Sequence, residues 1–188
     1  MPRLYFVRHA LPKPHGPDDR DPPLDPKGRK QAVALARSFD VPDPLPVYTS
    51  PLMRCRMTAA PLAARWESVP RILEAVREVP APDRAGTTRK AFLDGLLQGS
   101  WPQVLARDGG ALRPWYDGLL QAVRSVLEDS VIVSHYVAIN VIVGLATGSD
   151  QVSVFKPGHA SVTIVDAKAG QFKLHALGTE AATQLTSG

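Results

Sequence analysis

The chain has 188 residues, of which 44% are hydrophobic and 21% charged, and its formal net charge is +4. This length suits one domain with a substantial core, and the balance of apolar and charged residues excludes a disordered chain. No apolar run approaches the roughly 20 residues of a membrane span, and no basic run is typical of nucleic-acid binding. We therefore expect a cytoplasmic protein without a membrane or nucleic-acid partner, and its oligomeric state stays open.

The first element is a short apolar run, 4–7, which predicts a strand buried on both faces and leads into Arg8 and His9. Six prolines follow between residues 12 and 26 and exclude a regular helix or central strand there. We interpret this stretch as a stiffened loop beside a site. Apolar residues at helical spacing then predict a helix over 27–39.

A second strand-like run, 46–49, leads into Ser50 and Arg54, and an alanine-rich helix is predicted over 54–66. Residues 79–110, which are rich in glycine, proline and arginine, are interpreted as a cap or insertion rather than as a separate domain.

The second half of the chain alternates helix and strand. The predicted elements are a helix capped by Thr87 or Thr88 and running to Leu97, a helix over 112–127, a strand over 131–133 that leads into His135, a helix over 138–146 ended by Gly148, and a hairpin that turns at Gly170. This alternation indicates one α/β domain over residues 1–188, with a mostly parallel central sheet flanked by helices on both faces.

Cationic and imidazole side chains follow three of the predicted strands: Arg8 and His9, then Arg54, then His135. Ligands of an open parallel sheet bind beyond the carboxyl ends of its strands, so these four side chains should meet in one crevice. An anion is the expected ligand, because the arginine fork matches paired phosphate oxygens and a helix N-terminus follows His135. Each of these three strand ends alone is a weak signal of a binding site, and their occurrence together is a stronger one.

Four segments in order resemble the motifs of the histidine phosphatase superfamily, the phosphoglycerate mutase-like proteins. They are Phe6-Val7-Arg8-His9-Ala10, the first-helix pattern over 23–32, the run VYTSPLMRCRMTA over 47–59, and the run VIVSHYVAIN over 131–140. The resemblance spans residues 4 to about 165, nearly the whole chain, and it implies the phosphoglycerate mutase-like fold.

The resemblance also implies a chemistry for the four converging residues. His9 would attack phosphorus and form a phosphohistidine, which requires a neutral imidazole whose other ring nitrogen is held by an acceptor. Arg8, Arg54 and His135 would hold the phosphoryl oxygens and stabilise the transition state. The expected substrate is a small phosphorylated metabolite, and no metal or other cofactor is expected.

A leaving alkoxide needs a proton, which the family takes from a glutamate between the second motif and the second histidine. The candidates here are Glu74 and Glu78. We favour Glu78, because the prolines that follow it would hold an extended segment at the pocket. The catalytic residues expected are therefore His9, Glu78 and His135.

The chain departs from the mutase branch of this family. Residues 10–15, Ala-Leu-Pro-Lys-Pro-His, replace the Gly-Glu-Ser that mutases carry after the first histidine, and Tyr136 stands where many members have glycine. These departures favour a phosphomonoesterase over a phosphoglycerate mutase. The alternatives are a phosphohistidine or phosphoprotein phosphatase, and a non-catalytic member that only binds phosphoryl groups.

Three further residues are left with open or minor roles. His15 is interpreted as a loop histidine, and His159 is the better candidate for an additional pocket residue. Cys55, the single cysteine, excludes a disulfide framework and a cysteine-based zinc cluster. We expect it to be a small buried side chain that points away from the site.

Overall fold

The computed structural model of the chain describes residues 1–14, 21–81, 88–168 and 170–181. Within these ranges, strands lie at Arg3–Arg8 (β1), Val47–Thr49 (β2), Arg71–Ile72 (β3), Ser130–Ser134 (β4), Val162–Lys168 (β5) and Gln171–Ala176 (β6). The α-helices lie at Pro26–Ser38 (α1), Met53–Arg65 (α2), Arg89–Leu97 (α3), Trp101–Arg124 (α4) and Tyr136–Thr147 (α5), and a 3-10 turn lies at Glu74–Val76.

The strands form one sheet in the order β3–β2–β4–β1–β5–β6. The first four strands in this order are parallel, whereas β5 runs antiparallel to β1 and β6 antiparallel to β5. The predicted α/β fold with a mostly parallel sheet is therefore confirmed. Arg8, the last residue of β1, is paired with Ser134, the last residue of β4, so the segments that follow these two strands emerge side by side.

Both faces of the sheet are covered, because successive side chains of a strand point to opposite faces. On one face, Leu4 and Phe6 of β1 join a core with buried residues of α4 and α5. On the other face, Val7 of β1 and Val133 of β4 pack with α1 and α2. Helices on both faces were predicted, and the two core clusters confirm them.

The start of α1 is held close to the loop that follows β1. The Asp25 side chain accepts the backbone N–H of Gly28 as a helix cap. A Cβ atom at Gly28 would lie 2.0 Å from the carbonyl oxygen of Leu11, so only glycine fits at this contact. The tight fit fixes the loop after His9 against α1.

The helix predicted over 112–127 is wrong at its start, because α4 begins at Trp101. Gly109 and Gly110 are poor helix formers, which is why the pattern suggested a break before 112. Tertiary contacts override that preference: Trp101 is buried in the core, and a capping box between Ser100 and Gln103 starts the helix.

Other predicted boundaries agree closely with the structure. Thr88 caps α3 through the backbone N–H of Ala91, and Gly148 ends α5 in the left-handed conformation with φ +73°. Pro61 lies inside α2 without ending it. In the described part of the chain, no helix is both long and apolar enough to cross a bilayer. The interpretation of 79–110 as a cap stays a prediction.

Candidate active site

The structure brings the four predicted cationic and imidazole residues to the carboxyl edge of the parallel strands. The ring centroids of His9 and His135 lie 5.2 Å apart. The charge of Arg54 acts on both imidazoles, and Arg8 acts on them more weakly. These side chains, which follow separate strands, therefore lie together at one edge of the sheet.

His9 follows β1 and is almost completely buried, with 7% of its surface exposed. Its Nδ1 atom lies 2.9 Å from the carbonyl oxygen of Ala10. Burial, followed by the Arg54 guanidinium, holds the pKa of His9 well below its ordinary value of 6.5. The ring is therefore neutral near pH 7, and a proton on Nδ1 leaves the lone pair of Nε2 available for attack.

Thr58 of α2 links the backbone around His9 to Arg54. Its Oγ1 atom accepts the N–H of Ala10 at 2.9 Å and donates to the carbonyl oxygen of Arg54 at 2.7 Å. Thr58 is itself fully buried. This hydroxyl ties the loop that carries the nucleophile candidate to the helix that carries Arg54.

Arg8 is anchored by one end of its guanidinium. Its Nη1 atom donates to the carbonyl oxygen of Pro157 at 2.7 Å, and the guanidinium lies 5.2 Å from the centre of the Tyr136 ring. Its Nε atom is buried and has no hydrogen-bond partner among the residues that the structure describes. A buried donor without a partner is costly, so an anionic ligand at this position would satisfy it.

Arg54 is buried in the first turn of α2 and has a carboxylate neighbour. Its Nη1 atom lies 3.9 Å from Oδ1 of Asp21, and the same oxygen accepts the N–H of Met53 at 2.6 Å. No sequence motif pointed to this role of Asp21. The contact spans 33 positions of the chain, and only the proline-rich composition of the loop hinted that it would border the site.

His135 is fully buried between β4 and α5. Its Nε2 atom lies 2.8 Å from Oγ of Ser50 and 3.3 Å from Sγ of Cys55. Burial, then the neighbouring His9 ring and Arg54, hold its pKa well below 6.5. Cys55 is buried, as expected. The expectation that it points away from the site was wrong, because its position in the first turn of α2 directs its sulfur toward the ring of His135.

The two candidate glutamates lie in different environments. Glu78 accepts the N–H of Val137, in the first turn of α5, at 3.1 Å, and burial raises the pKa of its carboxyl above the ordinary 4.5. Glu74 is exposed and pairs with Arg77 at 3.0 Å on the surface. Arg89 lies beside Glu78, where it donates to the carbonyl oxygen of Val79 at 3.3 Å.

His159 also belongs to this region, whereas His15 lies outside the described residues. The ring centroids of His159 and His9 are 5.7 Å apart. Within the described ranges, no group of three or more His, Cys, Asp or Glu side chains is arranged to hold a metal ion.

Solved structures share this fold. The YhfR protein of Bacillus stearothermophilus aligns with a TM-score of 0.75 and 23% identity, over 97% of this chain and 98% of that one. A mycobacterial glucosyl-3-phosphoglycerate phosphatase with VO3 aligns at 0.71 and 22% identity, over 96% and 100%. A phosphoserine phosphatase of Entamoeba histolytica with 3-phosphoglyceric acid aligns at 0.67 and 22% identity, over 98% of each chain.

A comparison with curated protein sequences finds no match. The model of the histidine phosphatase superfamily (branch 1) matches residues 4–180, which is nearly the entire chain. The arginine-histidine segment after β1 and the histidine after β4, which suggested the resemblance, both lie inside this match. The chain therefore belongs to the histidine phosphatase superfamily.

Proposed function

We propose that this protein is a phosphomonoesterase that works without a metal ion and passes through a phosphohistidine on His9. The observation that carries the proposal is the geometry of His9, whose ring is held through Nδ1 on a carbonyl oxygen beside two arginines and a second imidazole. Burial and Arg54 lower its pKa, which favours the neutral ring. A neutral nucleophile among cations is the arrangement that attack on a phosphate dianion requires.

In the first step, Nε2 of His9 attacks phosphorus and the P–O ester bond breaks. Arg8, Arg54 and His135 hold the phosphoryl oxygens, and the leaving alkoxide takes the proton of Glu78. In the second step, water attacks the phosphohistidine and the P–N bond breaks. The Glu78 carboxylate accepts a proton from that water, and inorganic phosphate leaves with the cycle complete.

Burial raises the pKa of Glu78, which favours the protonated carboxyl that an acid needs and so supports this role. Its place at the N-terminus of α5, next to His135, puts it at the same edge as the other groups. Glu74, the alternative, is 69% exposed and bound to Arg77, which supports a surface role.

The proposed substrate is a small phosphorylated metabolite in the cytoplasm. Two proteins of the same fold are named for such substrates, glucosyl-3-phosphoglycerate and phosphoserine. The departures from the mutase motif at residues 10–15 support hydrolysis over transfer to a second hydroxyl.

Hydrolysis of 4-nitrophenyl phosphate with EDTA present tests the proposal. We expect turnover by the wild type and loss of more than about 1000-fold in His9→Ala. His175→Ala, on the half-exposed side chain of β6, is the matched control and should keep full activity. Undiminished activity of His9→Ala, or loss of wild-type activity in EDTA, would contradict the mechanism.

A further inference from the structure

The loop over 157–161 is fastened to β1 at the position of Arg8. The side chain of Arg8 donates to the carbonyl oxygen of Pro157 at 2.7 Å. Its backbone N–H donates to Ser161 at 3.2 Å, and its carbonyl oxygen accepts the N–H of Ala160 at 3.0 Å. Arg8, the residue just before His9, therefore holds this loop in a fixed position beside β1 through three hydrogen bonds.

The conformation of the loop is specific. Ala160 has φ +58°, in the left-handed region that a residue with a Cβ atom adopts only at a cost. Gly158 packs so closely that a Cβ atom there would lie 2.9 Å from the carbonyl oxygen of Thr179. Surrounding contacts thus hold the backbone on both sides of His159 in one arrangement.

The loop places the ring of His159 next to the ring of His9. Its ring centroid lies 5.7 Å from that of His9, and the two ring planes meet at 51°. His135 flanks the same ring at 5.2 Å but is completely buried, whereas His159 is only partly buried. Of these two imidazoles, His159 is therefore the one that lies beside His9 and also reaches solvent. Substrate enters the site from solvent.

The charge state of His159 follows from its neighbours. Burial, then Arg8 of β1, lower its pKa to about 4. Lys27 of α1 acts in the same direction, and Asp25 at the cap of α1 opposes them. A neutral imidazole offers an N–H donor on one nitrogen and a lone pair on the other, so a partner that can either donate or accept fits both tautomers.

We propose that His159 contacts the substrate and hydrogen-bonds a hydroxyl group that lies next to the phosphate ester. The proposal rests on the proposed phosphatase function. A hydroxyl can accept the ring N–H or donate to the ring lone pair, so it can pair with whichever of the two nitrogens faces the substrate. The preferred substrates are then phosphate esters of polyols, and simple alkyl phosphates are poorer ones.

The test compares two substrates that differ in the neighbouring hydroxyl, glycerol 1-phosphate and propyl phosphate, by their kcat/KM ratio. His159→Phe keeps a ring against His9 and removes the hydrogen bond. We expect it to lower kcat/KM for glycerol 1-phosphate about 10-fold and to change propyl phosphate less than about threefold. Differences in intrinsic reactivity cancel, because the ratio is compared between variants.

His159→Asn restores a donor and an acceptor and should recover part of the ratio, whereas His175→Ala should match the wild type. The inference is overturned if His159→Phe leaves the ratio unchanged, or if it lowers both substrates equally, as a purely structural role would. The inference is also overturned if the wild type hydrolyses 4-nitrophenyl phosphate but its kcat/KM is no higher for glycerol 1-phosphate than for propyl phosphate. Failure of the wild type to hydrolyse any phosphate monoester contradicts the proposed function itself.

Discussion

The Nε2 atom of His135 lies 2.8 Å from the Oγ atom of Ser50, and both side chains are completely buried. The backbone N–H of Ser50 is in turn held by the carbonyl oxygen of Val133 at 2.9 Å, so the hydroxyl sits on the adjacent strand as a fixed partner. The same Nε2 atom lies 3.3 Å from the sulfur of Cys55, which is a weak hydrogen-bonding group, so the Ser50 hydroxyl is the stronger of these two contacts and does more to orient the ring.

Removing this hydroxyl should disturb the orientation of His135. Ser50→Ala leaves a buried ring nitrogen with only the weakly bonding sulfur of Cys55 beside it, at a cost of about 1–3 kcal/mol in the free energy of unfolding. We expect kcat to fall about 10-fold or more with a smaller change in KM, measured with 4-nitrophenyl phosphate. Ser38→Ala, at the exposed end of α1, is the control. Equal kcat values for wild type and Ser50→Ala would argue against a positioning role.

Glu78→Gln should affect substrates according to their need for a proton on the leaving group. The leaving group of an alkyl phosphate is a strongly basic alkoxide, so we expect kcat/KM, which reports the phosphorylation step alone, to fall about 10²–10⁴-fold. The leaving group of an aryl phosphate is a weakly basic aryl oxide, so its kcat/KM should fall far less. Glu74→Gln is the matched control, because that carboxylate is exposed and bound to Arg77. Equal slowing of both substrate types would remove the acid role from Glu78.

The stability of the protein should decrease as the pH falls below about 6.5. His9, His135 and His159 all have lowered pKa values, so between pH 6.5 and about 4 the unfolded chain binds more protons than the folded one. Glu78, whose pKa is raised, opposes this trend.

Thermal unfolding between pH 7.5 and 5 measures this effect, with a lower Tm expected at pH 5. His159→Ala should make the decrease shallower, because it removes one histidine whose protonation is disfavoured by burial and by Arg8 and Lys27, against the opposing charge of Asp25. Ser38→Ala, which removes no titratable group, should keep the wild-type slope. A Tm that rises on acidification would show that the carboxyl groups dominate instead.

Cys55 should be unreactive in the folded protein. It is fully buried, and burial raises the pKa of its thiol above the ordinary 9.0, so very little thiolate exists near neutral pH. We expect iodoacetamide to label the native chain at least about 100-fold more slowly than the chain in urea. Fast labelling of the native chain would show that the buried region around Cys55 and His135 opens to solvent.

Much of the fold follows from local pattern. The apolar runs before Arg8 and His135 are buried strands because their residues are apolar on both faces, and the caps at Thr88 and Gly148 obey local backbone chemistry. The four motifs were enough to recognise the family, and they contain Arg8, His9, Arg54 and His135, which lie together in the structure.

Tertiary structure decided what local pattern does not encode. The long helix α4 runs through Gly109 and Gly110 because Trp101 is buried in the core. The contact of Asp21 with Arg54 and that of Ser50 with His135 join residues distant in the chain. Such contacts depend on how strands are ordered in the sheet and on burial after packing, which residue periodicity does not specify.

The sequence by itself determined which side chains follow the strands, and so the chemistry available at the sheet edge. Only the tertiary structure decided their charge states and their partners. Burial makes His9 neutral and raises the pKa of Glu78, and the loop over 157–161 brings His159 to the ring of His9. The physical reason is that desolvation and hydrogen bonding act through space, between groups that the chain separates by up to 150 positions.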